Sequence, residues 1–160
     1  MRTLDRVLAL LLILVHLIVH VGFGVGVGAP DLFTLAVLIV ARDTHMALAA
    51  LLGLGLGLLD DAQGLVAFGA HGLALALVGA LASRTRDLFV GESVFFVASY
   101  LLVGKWARDL LHWLLAGADN RGAFTETVLV EGGLGALYVA AVGLFLMFTT
   151  GAFRRTARVR

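Results

Sequence analysis

The sequence predicts an all-α fold, a polytopic membrane protein built as a six-helix transmembrane bundle with no extramembrane domain. Three observations predict it. Of the 160 residues, 61% are hydrophobic and 14% charged, whereas a soluble domain carries about a quarter charged residues. The 20 glycines suit helices that pack closely where no hydrophobic effect drives them together. The arginines fall at one end of successive apolar runs, as the positive-inside rule requires.

The first helix is expected at about residues 7–28. Its uncharged stretch, 7–30, is 24 residues long, beyond the roughly 7–15 residues of a signal-peptide core, so it is expected to be retained. His16 and His20 lie four apart on one face, a spacing that suits two metal ligands; without a cysteine or glutamate beside them, they read as polar residues packed inside the bundle. The alternating run Val21-Gly-Phe-Gly-Val-Gly-Val-Gly28 reads as an unwound outer end, since each glycine costs a helix about 1 kcal/mol relative to alanine. It lacks the flanking strand and the basic residue of a phosphate loop.

The second segment, 32–41, has only ten uncharged residues and reaches the roughly 17 needed to span only as 30–45, with Pro30, Asp31 and Arg42 to His45 as interfacial ends. A re-entrant hairpin over 32–59 is the four-crossing alternative. The third helix is expected at 44–60, where Gly53 and Gly57 form a G-x-x-x-G spacing. The fourth is expected at 62–84. The fifth, 88–116, contains Glu92, which reads as an interfacial carboxylate near Arg84 and Arg86. Further along it, Lys105, Arg108, Asp109 and His112 share one face about 26 Å from the start, flanked by Trp106 and Trp113. That stripe reads as an amphipathic surface on the outer leaflet or as a docking surface for another membrane protein. The sixth helix is expected at 128–153.

With the N-terminus inside and six crossings, Arg2, Arg6, Arg42, Arg84, Arg86, Arg154, Arg155, Arg158 and Arg160 are cytoplasmic, nine of the 12 Lys and Arg. An odd number of crossings would strand the C-terminal arginines outside. The net charge of +1 argues against nucleic acid, and the absence of cysteine excludes disulfides and thiolate metal sites. No catalytic set, metal cluster or cofactor motif emerges; the nearest grouping, Asp60 and Asp61 with His71, also reads as a helix end and polar turn.

One succession carries more. Ala29-Pro-Asp-Leu-Phe-Thr-Leu-Ala-Val-Leu-Ile-Val-Ala-Arg42 opens a short helix with Pro30, Asp31 and Leu32 and closes it at Arg42. Then come Gly-Leu-Gly-Leu-Leu-Asp60, a turn to Gly64, and Phe68-Gly-Ala-His71, with Gly69 and His71 opening the next run. This order resembles the rod shape-determining MreD family over nearly the whole chain, as do its length and arginine-rich C-terminus. The resemblance implies a non-enzymatic scaffold of the bacterial cell-elongation machinery in the inner membrane. Such a scaffold binds MreC directly and works with RodA, a class B penicillin-binding transpeptidase and MreB. It also implies a fold similar to the S components of energy-coupling factor transporters, which makes a vitamin-binding S component the alternative function. The short outer loops and the presence of only Tyr100 and Tyr138 as tyrosines argue against a vitamin pocket. Candidate partner contacts are Gly53 and Gly57 together with Lys105, Arg108, Asp109 and His112. A charge at Gly57 is expected to disturb partner capture while sparing the bundle.

Overall fold

The computed structural model describes residues 3–19, 31–64, 68–85 and 93–150. Helices follow one another in the order α1 (Thr3–Leu17), α2 (Leu32–Ala41), α3 (Met46–Gln63), α4 (Ala70–Thr85), α5 (Val94–Leu115) and α6 (Gly132–Thr149), with no strand among the described residues. A π-helical stretch, Thr125–Glu131, runs straight into α6. His20, the glycine run, Pro30, Glu92, Arg86 and the C-terminal arginines lie outside the described residues.

Polar side chains set several starts by accepting orphan backbone N–H groups. The Asp31 carboxylate accepts from the Thr34 amide at 2.9 Å and the Thr34 hydroxyl at 2.6 Å. His45 Nδ1 and Ser93 Oγ serve α3 and α5 in the same way, from Ala47 and Phe95, each at 3.3 Å. Two stretches are long and apolar enough to cross a membrane, Met46–Gln63 and Thr125–Thr149.

The bundle is organised around α2. All ten of its residues are buried, and α1, α3, α4, α5 and α6 all pack on it. This changes the reading of the second segment: it is not extended to 30–45 but stops at Ala41, followed by a turn. A helix apolar on every side is an enclosed helix. Its backbone needs no hydrocarbon-spanning length, because protein covers it throughout.

Helices α3 and α4 form an antiparallel hairpin whose backbones nearly touch. A Cβ built on Gly53 would lie 2.6 Å from the Leu75 carbonyl carbon, and one on Gly57 2.6 Å from the Gly72 Cα. On the facing helix, a Cβ on Gly79 would lie 2.5 Å from the Ala49 carbonyl oxygen. Real Cβ atoms do not approach so closely, so the contact requires glycine. Gly53 and Gly57 therefore meet α4, and the expectation that they face a partner is corrected: their close approach is used inside the chain.

The boundary between these two helices also moves. Expected as 44–60 and 62–84, they are 46–63 and 70–85, because Asp60 and Asp61 belong to the last turn of α3. Gly69, with φ of 95°, makes the turn into α4 in a region that L side chains rarely adopt.

Outside the core, large apolar residues are exposed on long helices: Leu10 and Leu14 on α1, Leu48 and Leu51 on α3, Leu73 and Leu81 on α4, Leu134 and Phe145 on α6. Meanwhile Asp61, Lys105 and Arg108 are buried. This inverts the distribution that water imposes on a soluble protein.

Candidate functional site: a buried ion-pair network

Helix α2 begins, α3 ends, α4 begins and α5 nears its C-terminus at the same end of the bundle. Their polar residues meet there in one network. At its centre is Arg108, whose guanidinium faces three carboxylates from three elements. Its Nη2 donates to Asp60 of α3 at 3.0 Å, its Nη1 donates to Asp109 at 3.0 Å, and its Nε lies 3.6 Å from Asp31. Nη2 also meets His71 Nδ1. Lys105, one turn earlier, donates to both Asp109 oxygens at 2.5 Å and lies 3.6 Å from Asp31. A planar fork with five N–H groups suits a position shared by several carboxylates in a way that a point charge does not.

Asp60 reaches beyond Arg108, with one oxygen 3.1 Å from His71 Nδ1 and the other 4.0 Å from His16 Nε2. His16 is buried and stacks on Phe33, ring centroids 3.8 Å apart. The His71 ring in turn lies against that of His112, tilted by 31° with centroids 3.9 Å apart. Burial alone would raise the Asp31 carboxyl, but Arg108 and Lys105, helped by the Thr34 bonds, hold it well below the usual carboxylate range.

Asp61 has a separate task. Its carboxylate accepts the backbone N–H groups of Gly69 at 3.0 Å, His71 at 3.1 Å and Gly72 at 3.0 Å, which satisfies the start of α4 and places a negative charge at that helix N-terminus. Replacing Asp61 by alanine is expected to cost about 2 kcal/mol of stability, the upper end for a lost cap, because three donors lose their acceptor. Chemical unfolding in mixed micelles, followed by circular dichroism, measures it.

The stripe predicted at Lys105, Arg108, Asp109 and His112 is thus one stripe, but it points inward. Lys105 and Arg108 are buried, and both are paired within the chain. The expectation of an outer-leaflet or docking surface there is corrected, since carboxylates at Asp31 and Asp60 draw the cations inside. Trp106 and Trp113 flank it as expected and bond to backbone: Trp106 Nε1 to the Val128 carbonyl at 3.0 Å, Trp113 Nε1 to the Gly122 carbonyl at 2.9 Å. Asp31 is a member of the network that spacing alone does not assign to the stripe. The signal that could have found it is charge balance: acids at the ends of apolar segments need cations at the same depth. Among the described residues, no group of three or more His, Cys, Asp and Glu side chains is arranged to hold a metal ion.

Of the resembling motif, Asp31, Asp60 and His71 lie in the network and Gly69 makes the turn beside it. Leu32 is buried at the start of α2 and Gly64 closes α3, its N–H bonded to the carbonyls of Asp60 and Asp61. Arg42 sits at the opposite end, where its Nη1 donates to the Met147 sulfur at 3.6 Å. No family model matches the chain, and neither a curated protein nor a solved structure matches it significantly.

Proposed function

We propose that the chain is a multi-pass scaffold of the bacterial inner membrane, with both termini cytoplasmic, a fold like the S components, and no catalytic turnover. It binds MreC and helps organise RodA, the class B transpeptidase and MreB in cell-wall elongation. One observation carries the reading. The motif residues that suggest the MreD family, Asp31, Asp60 and His71, come from three separate segments and converge on a single arginine. Such a convergence gives those positions a joint reason to occur together: they lock the mutual placement of α2, α3, α4 and α5. In the bilayer, the exposed leucine and phenylalanine ridges are lipid- or partner-facing, and lateral capture of a bitopic helix falls to them.

The test is co-expression of the full chain with MreC, followed by purification through a tag on MreC in mild detergent. Retention of the chain in near-equal amount is the expected outcome. Failure to co-purify overturns the reading, as does nanomolar binding of a vitamin by the purified chain.

A further inference from the structure

His71 is placed between two partners that demand opposite protonation states. Its Nδ1 lies beside Arg108 Nη2, which can only donate, and 3.1 Å from an Asp60 oxygen, which as a carboxylate can only accept. With Nδ1 bare, the ring accepts from Arg108 and ties α4 to α5. With protons on both ring nitrogens, Nδ1 donates to Asp60 and the ring sets a positive charge against the guanidinium, so the His71 tie passes from α5 to α3. The backbone of His71 is already fixed to α3 through Asp61. The Arg108–Asp60 bond holds α5 to α3 in either state, so the choice decides whether α4 is tied directly to α5.

The surroundings sharpen the competition. The His112 ring of α5 lies against the His71 ring, tilted by 31° with centroids 3.9 Å apart, so a charge on one ring opposes a charge on the other. From α3, Asp60 and Asp61 favour a proton on the pair; from α5, Arg108 opposes it, and the N-terminal end of α4 opposes it too. His16 of α1 lies on the far oxygen of Asp60, and Asp31, Lys105 and Asp109 hold the other side of Arg108. The His71 side chain is 27% exposed and that of Asp60 19%, which gives protons access from that end of the bundle.

We infer that the His71–His112 pair is a proton-operated latch between α4 and α5. A proton taken up by the pair releases α5 from His71. The latch goes beyond the scaffold reading and stands or falls separately from MreC binding.

The chain contains no cysteine, so cysteines placed at exposed Leu77 on α4 and exposed Val103 on α5 carry spin labels uniquely. Their distance distribution is read by pulsed electron resonance at about pH 8 and pH 5, on either side of where a free histidine titrates, with the full chain in lipid nanodiscs. The expected result is a shift of a few ångströms on acidification that is absent from the H71N/H112N variant, whose amides keep an acceptor but take no proton. An unchanged distribution in the parent overturns the latch, and so does an equal shift in the variant. Should that variant fail to fold, nitrogen-15 histidine spectra of the unsubstituted chain decide. A proton gained by the pair by about pH 5 supports the latch, and both rings neutral there overturn it.

Discussion

Replacing Arg108 by methionine should cost about 3–5 kcal/mol of stability, the range for removing one partner from a buried ionic group. The reason is the number of carboxylates that depend on it. Asp60 and Asp109 each receive a guanidinium N–H at 3.0 Å, and Asp31 lies 3.6 Å from Nε. Methionine fills comparable space but leaves Asp60 with only the histidines near it and Asp31 with Lys105 and its Thr34 bonds. R108K should recover part of the loss, because an ammonium restores charge but cannot bond to three directions in one plane. R108M/D60N should be more stable than R108M, since it removes the acid left most exposed to the deletion. Unfolding in mixed micelles of increasing dodecyl sulfate, read by circular dichroism, ranks the three variants. Equal stability of R108M and the parent would show that the network contributes nothing to the packing of α5.

The second large effect is expected at Gly57. Leucine there should destabilise the bundle by about 3 kcal/mol, the upper end for overpacking, because the obstacle is backbone and not a side chain that can turn away. A Cβ at this position would lie 2.6 Å from Gly72 Cα and from Gly72 N. At Gly55, two residues earlier on the same helix, a Cβ would meet nothing within 4 Å, so G55L should be close to neutral. The contrast separates the helix contact from the general cost of changing a glycine. It also reverses the expectation drawn from the G-x-x-x-G spacing: substitution at Gly57 should injure the α3–α4 hairpin itself, before any partner is involved.

The two effects mark where the sequence was readable and where it was not. Hydropathy and the placement of arginines located the helices, because a run of apolar residues between charges has few other solutions. Periodicity also put Lys105, Arg108, Asp109 and His112 on one face. It could not say what that face meets, because Arg108 pairs with Asp60, 48 residues away. Spacing along a helix describes its own faces only; which face turns inward is decided by groups elsewhere in the chain. The α3–α4 boundary failed for a related reason. A pair of aspartates looks like a break in an apolar run, yet here both stay helical, since Asp61 is needed at that point to receive the N–H groups of the next helix. The glycine contact was legible as an ability to pack closely, but not as the identity of the neighbour.

The enclosure of α2 bears on how such a chain is made. Every one of its ten residues is covered by the other helices, so in a bilayer it has no surface of its own to offer to lipid. At about 1.5 Å per residue it also falls far short of the hydrocarbon thickness. During synthesis it leaves the ribosome before α3, α4, α5 and α6, all of which supply its walls. Its final position thus opens only when the last of them has been inserted, so the assembly of the bundle is governed by its latest-made helix.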